Sequence, residues 1–431
     1  MANALTSYRR IKLQEYGEPT IQRTECINLN ALAEANKRWK RNLGLSCDPI
    51  RVEEIGDGLV KMRAEAVTGV IRIGNTDIEI APKFLSFEGG NWQAVLWQIL
   101  LVVEGGYVDD KLTTAHHQAS LSISDLLAEM FLASYSKGAV RGLPRSYSSE
   151  HSEGVVLRGQ LDTSRLGEWI ARPWRLPYIA DTLNEDTNLA RLLRWSANCL
   201  ATTVKSPSRA RALREIAANL SHVGKRPPHL FDAMEISLGP QHQGLDPARI
   251  VGVLLLEGAG VDHAVGEYSL SGFLWNSDTI YENYIFWLCR RAASLCGYRV
   301  SKEEVKFGEV FQGKGSRLTT TPDVVFHDSN GTPFAVTDAK YKRLGTRPRA
   351  SDTYQVLTAG HVLGCQRVSL TYPVSTNREP TIWRVPSALG ARDMELTALP
   401  INLMKLTMPG GQHVLIDSIR KWLDRDIFFT D

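Results

Sequence analysis

Two acids and a lysine stand close together in TPDVVFHDSNGTPFAVTDAKYKRL, residues 321–344. Asp323 precedes one apolar run, and Asp338 and Lys340 sit two apart in a second, FAVTDAKY. Residues two apart on a strand share a face. With a hairpin turn near Asn330, Asp323 falls across from about Thr337 and beside Asp338. Two carboxylates at close range repel unless one is protonated or a cation bridges them. Mg²⁺ prefers such hard oxygen ligands and fills its other positions with water. A cation held there polarises a phosphoryl oxygen and lowers the pKa of a bound water. Lys340 can position that water or stabilise charge developing on phosphate. This combination suits phosphodiester hydrolysis. The bland alternative is a solvated edge pair, with Asp323 merely opening a strand after Pro322. The apolar residues on both runs favour a central sheet over an exposed ribbon.

Two further residues belong to the neighbouring elements. Glu282 lies one turn into a helix predicted over 279–298, TIYENYIFWLCRRAASLCGY. It reads as a third acid, or as the end of a capping box begun by Thr279; both readings stay open. Gln355 lies on a helix predicted over 351–364 and reads as a surface residue or as one facing the site. Strands are predicted over 298–307, on either side of SNGTP, and over 366–373, in the order α-β-β-β-α-β. The segment KYKRLGTRPR adds Lys342, Arg343, Arg347 and Arg349 after Lys340. That loop would suit a polyanion's backbone, or it is simply solubilising.

The upstream chain reads differently. Residues 1–84 are β-rich, clearest where VIRI and IEI flank the turn-forming GNTD, with Pro82 ending the second strand. From Asn91 the spacing turns helical, with further helices over 186–204, 209–223 and 246–260. Asp246 is the expected N-cap of the last, with Pro247 at its first position. Residues 141–180 look irregular. The chain therefore divides into a β-rich part (1–90), a mostly helical middle (91–265) and an α/β part (266–431). The expected fold class is α+β multidomain.

Bulk properties exclude several alternatives. At 431 residues the chain can build two or three cores, and 43% hydrophobic with 23% charged residues is ordinary for a globular protein. A net charge of +3 is too small to imply nucleic acid without local clustering. The six cysteines form no CxxC pair, which suits a reducing cytoplasm. The N-terminal residues lack a signal peptide's apolar stretch, and the longest apolar run, 94–103, is too short to span a bilayer. GEVFQGKG (308–315) nearly matches a phosphate-binding loop, but Gly315 stands where the Mg²⁺-ligating hydroxyl belongs. It reads as a hairpin loop, so no nucleotide hydrolysis is expected of this chain. His116 and His117 are adjacent, which does not suit one metal. HExxH and GxSxG are absent.

The acid–lysine cluster resembles the PD-(D/E)xK (restriction-endonuclease-like) nuclease core, and more narrowly the McrC family, nuclease subunits of modification-dependent type IV restriction systems. IEIAPKF, RGLPRSY with LRGQLD, FLWNSDTIYENYI, TPDVVF, TDAKYK, DTYQVL and SLTYP resemble that family's blocks in order, over roughly 69–373. The resemblance implies a C-terminal nuclease domain in which Asp323, Asp338 and the Ala339 backbone carbonyl bind Mg²⁺, with Mn²⁺ an alternative. Glu282 would be the helix acid, also at the metal, with Lys340 assisting the water and Gln355 supporting the site. It also implies antiviral defence, a McrB-like AAA+ GTPase ring as partner, and double-stranded DNA carrying a modification as substrate. The family's N-terminal part engages and stimulates that ring. One departure is TAGHVLG after Gln355, which lacks an expected aromatic residue. Two rivals remain: a non-catalytic activator or scaffold of a partner NTPase, and a stand-alone repair nuclease.

Overall fold

The computed structural model describes residues 9–22, 29–57, 59–73, 76–85, 92–103, 122–258, 263–265, 268–309, 317–386 and 393–425. They form two compact units: 1–123 together with 263–431, and 124–262.

The first unit opens with β1 (Arg9–Gln14), β2 (Thr20–Gln22), α1 (Leu29–Asn42), β3 (Ile50–Gly56), β4 (Leu59–Ala64), β5 (Val67–Ile73), β6 (Thr76–Ala81) and α2 (Trp92–Val103). The predicted VIRI/IEI hairpin is β5 against β6, with Ile73 opposite Thr76. Every residue of β6 is buried, so its acids need partners: Arg72 Nε lies 2.6 Å from Asp77, and Arg10 Nε 3.5 Å from Glu79. Helix α1 was not expected in a β-rich part. Its Leu32, Ala35 and Trp39 are buried on one face, and the Asn36 amide both donates to and accepts from the Ile50 backbone.

The second unit holds α3 (Ile123–Gly138), β7 (Ser146–Gly154), β8 (Gln160–Leu161), α4 (Leu166–Ala171), β9 (Leu176–Asn184), α5 (Asn188–Thr203), α6 (Pro207–Asn219), α7 (Leu230–Met234) and α8 (Asp246–Glu257). Two expectations are corrected here. The segment 141–180 is not irregular: β7 and β9 pair along nine residues, in a three-stranded sheet β7-β9-β8. SYSSEHSEG has no apolar face to bury, so it lacks the alternation that marks a half-buried strand. Asp246 is not the N-cap of α8, because a 3₁₀ turn over Pro240–Leu245 runs directly into the helix. Asp246 lies in the first turn and pairs with Arg249 at 2.7 Å.

The first unit resumes with β10 (His263–Val265), β11 (Tyr268–Asn276), α9 (Ser277–Leu295), β12 (Arg299–Ser301), β13 (Val305–Gly308), β14 (Leu318–Thr320), β15 (Val324–His327), β16 (Pro333–Ala339), α10 (Ala350–Val362), β17 (Arg367–Val374), β18 (Thr381–Val385), β19 (Met394–Asn402) and α11 (Gly411–Asp424). β11 pairs with β5, giving a sheet ordered β1-β6-β5-β11-β10. Residues from both ends of the sequence, assigned above to separate parts, thus share one sheet. At Gly69 (φ +141°) a Cβ would come within 2.3 Å of the Phe273 carbonyl oxygen, so the close β5–β11 approach requires glycine. A second sheet runs β12-β15-β16-β17-β19-β18, with β16, β17 and β19 parallel. Helix α10 makes the crossover from β16 to β17 and buries Val356 and Ala359 against Val336, Val368 and Leu370.

The predicted strand over 298–307 is two strands, β12 and β13, parted at the charged KEE. The phosphate-loop-like segment starts at Gly308, the last residue of β13, ahead of the paired strand β14; its residues 310–315, like His116 and His117, lie outside the described residues. Helix α9 begins at Ser277, capped by Asn276, whose Oδ1 accepts from the Asp278 and Thr279 N–H groups at 3.0 and 3.2 Å. Thr279 is therefore inside the helix, and the capping-box reading of Glu282 is withdrawn. Asn276→Ala should cost about 1 kcal/mol. Urea unfolding would check this, with Asn276→Asp retaining wild-type stability; an unchanged alanine variant would deny the cap any weight.

Candidate active site

β16 lies between β15 and β17, an interior position. Asp338 is 2% exposed and the Lys340 side chain 15%, so these two are not a solvated edge pair, and Asp323 is buried at 8%. Val324 pairs with Thr337, which sets Asp323 one step on, across from Asp338. The sequence placed it opposite Thr337. The one-residue difference comes from a register shift between Phe326 and His327, which a plain hairpin count omits.

The side chains meet through short contacts. Asp323 Oδ2 accepts the Ala339 N–H at 2.8 Å. Asp338 forms an ion pair with the Lys340 ammonium. Lys340 Nζ also donates to Gln355 Oε1 at 3.1 Å, and its backbone N–H donates to the Thr371 carbonyl at 2.9 Å. Gln355 on α10 thus faces the site. Glu282 joins through a residue that the sequence reading missed: Lys302 Nζ lies 3.9 Å from Glu282 Oε2 and 3.5 Å from Asp323 Oδ1. Lys302 sits in the turn between β12 and β13, within a charged SKEE stretch that carries no motif.

Charge is poorly solvated here. Burial pushes the Asp338 carboxyl up to about 6, with the Asp323 charge adding to the rise and Lys340 opposing it. Burial likewise lifts Glu282 to about 7, helped by Asp323 and opposed by Lys302. Among the described residues no three acids, imidazoles or thiols converge closely enough to enclose an ion by themselves. Two lysine ammonium groups stand instead as counter-charges to the acids. The buried Asp338 Oδ2 is the oxygen that the Lys340 ammonium contacts. Mg²⁺ typically takes one or two protein carboxylates and completes its shell with water and substrate phosphate. The oxygen set at Asp323 and Asp338 fits that need.

A second polar group supports the strand end. The Tyr341 hydroxyl donates to Glu15 Oε2 at 2.8 Å, and the Lys83 N–H donates to the same oxygen at 3.1 Å. Glu15 is 2% exposed, and burial raises its carboxyl to about 7. The Lys83 ammonium lies 4.0 Å from the Tyr341 ring centroid and 4.9 Å from that of Tyr16. The Tyr341 ring also packs on Tyr281, the neighbour of Glu282, at 5.7 Å. The IEIAPKF segment, through Lys83, therefore braces the backbone next to Lys340.

Comparison with known proteins places this geometry in a family. The model of the McrBC family, described as McrBC 5-methylcytosine restriction system component, matches residues 62–373. A search of curated protein sequences found no match. Among solved structures, one similar chain belongs to a refined half-complex from a tetradecameric assembly of Thermococcus gammatolerans McrB AAA+ hexamers with bound McrC. It is 18% identical, with 96% of this chain and 99% of that chain covered and a TM-score of 0.60. Another belongs to a cryo-EM structure of the Thermococcus gammatolerans McrBC complex, 18% identical over 66% of this chain and 88% of that chain, with a TM-score of 0.44. The family match spans well over half of the sequence and every candidate site residue, and the chain belongs to the McrBC family of restriction-system components.

Proposed function

We propose that this chain is the nuclease subunit of an McrBC-type, modification-dependent restriction system. It would be a Mg²⁺-dependent endodeoxyribonuclease that works with, and stimulates, an AAA+ GTPase ring. The observation that carries the reading is the meeting of Asp323, Asp338 and Lys340 at the end of an interior strand. On this reading the β12-to-β18 sheet with α9 and α10 is a restriction-endonuclease-like core. Asp323, Asp338 and the Ala339 carbonyl would hold the cation, with Glu282 as a further acid. A bound Mg²⁺ would supply an activated water and a Lewis acid for the phosphate. Lys340, held by Gln355, would stabilise charge developing on the reacting phosphate. The McrB hexamers named with the similar solved chain support a ring-shaped partner here. No described helix is long and apolar enough to cross a membrane, consistent with a cytoplasmic place of action on DNA.

The test is plasmid cleavage in Mg²⁺, on methylated and unmethylated DNA, with and without the ring and GTP or ATP. Cleavage of modified DNA only when ring and nucleotide are present is the expected result. Cleavage by the chain alone would favour a stand-alone repair nuclease. Stimulated nucleotide hydrolysis without any cleavage would favour an activator.

A further inference from the structure

A cavity of about 530 Å³ opens in the first unit, lined in part by residues that follow β6, β16 and β17. Its lining includes Lys83, Arg343 and Arg378 and no acid. Arg378 donates to the Leu344 carbonyl at 3.2 Å, and neither arginine forms an ion pair among the described residues. Arg343 and Arg378 are exposed cations that line one hollow, and an anion shared between them would be favourable. The hydroxyl residues Ser375 and Thr376 also line it, and they would extend a donor set suited to phosphate oxygens.

Position narrows the ligand. β16 and β17 run parallel and both end here, and crevices at the carboxyl ends of parallel strands are where α/β sheets take ligands. Arg343 follows Lys340 by three residues, a backbone reach of at most about 11 Å. A DNA strand advances about 3.4 Å of helix axis per nucleotide. A phosphate in the cavity would then belong to the same short stretch of strand as one held at Lys340.

We propose that this cavity is a subsite for the DNA strand, in which Arg343 and Arg378 hold a backbone phosphate flanking the one to be cut. The inference rests on the nuclease reading above. Lys83 adds positive potential from the cavity wall, and the buried Pro373 offers an apolar surface to the adjoining sugar. Such an interaction carries register and no base sequence.

The test uses the full chain carrying Asp338→Ala, so that binding is read without cleavage. Affinity for a fluorescent duplex is followed from low to high salt, with and without Arg343→Ala and Arg378→Ala. For every phosphate that is no longer neutralised, the slope of log K against log salt should fall by about 0.9. The double replacement is expected to flatten the slope by about one to two and to weaken binding about tenfold at moderate salt. Lysine at both positions should keep most of the slope. Binding with an unchanged slope overturns the subsite alone. No DNA binding by the parent protein, even at low salt and with the ring and nucleotide present, overturns the nuclease reading and the subsite with it. Arg343-dependent binding of a deoxynucleoside monophosphate, with the duplex slope unchanged, would assign the cavity to a free nucleotide and overturn the strand subsite.

Discussion

Asp338→Ala is expected to abolish Mg²⁺-supported cleavage, with a fall of about 10³-fold or more in kcat, or ~4 kcal/mol of transition-state stabilisation. Asp338 is the one acid among the described residues that contacts Lys340 directly, and it lies across from Asp323 on an interior strand. On the proposed reading, removing it takes away a cation ligand along with the partner that holds the lysine. Stability should not fall in parallel. Asp338 is a buried carboxylate whose charge is opposed by burial and by Asp323, so a neutral residue relieves a cost that folding otherwise bears. Asp338→Asn keeps the shape and should be inactive while unfolding in urea at or above the wild-type midpoint, measured with a chelator present. Full cleavage by either variant would remove the proposed site. Inactivity with a large loss of stability would place Asp338 in the fold instead of the chemistry.

The second large effect concerns stability and pH. Glu15 has a carboxyl raised to about 7 by burial, above its ordinary value of 4.5. Its folded form therefore holds a proton more tightly than its unfolded form. The stability gained this way is fully present below about 4.5 and is lost as pH rises through about 7. A difference of that size corresponds to about 3 kcal/mol between pH 5 and 8. Glu15→Gln cannot ionise, and its side-chain oxygen can still accept from Tyr341 and from the Lys83 N–H. The variant should match wild type near pH 5 and exceed it at pH 8 by up to about 3 kcal/mol. Denaturant unfolding at the two pH values checks this. A difference that is the same at both would show that Glu15 is ionised in the fold at no cost.

Much of the candidate site was legible because its signal is local. The turn residues SNGT and two apolar runs mark a hairpin, and a hairpin brings Asp323 to Asp338 whatever follows in the chain. Where the reading slipped by one position, a bulge beside the turn was responsible, and bulges leave no mark in hydrophobic alternation. Lys302 was invisible for a different reason. It reaches the acids from a turn, and a single lysine among SKEE looks like a solvated surface. Glu15 and Lys83 were equally hidden as partners, since their meeting depends on strands packed far from the hairpin. The same cause accounts for the fold-level misses. β11 joins β5 across nearly half of the chain, and β7 is a polar strand that pairs with β9 without burying an apolar stripe of its own. Sequence periodicity reports what one element hides from water. It does not report which distant edge completes a sheet.

The Glu15–Tyr341 bond joins residues 326 positions apart, and β5 likewise waits for β11 to cover its edge. Synthesis proceeds at about 5–20 residues per second, so roughly 15–65 s pass between the emergence of these two partners. Residues 124–262 form a compact unit of their own and can be finished in that interval. The sheet that bears the acids cannot. A ribosome stalled after the middle unit but before the acid-bearing strands therefore carries a folded middle and an unbuilt sheet. On the proposed activity, a half-made copy of this enzyme poses no threat to the chromosome of the cell that is making it.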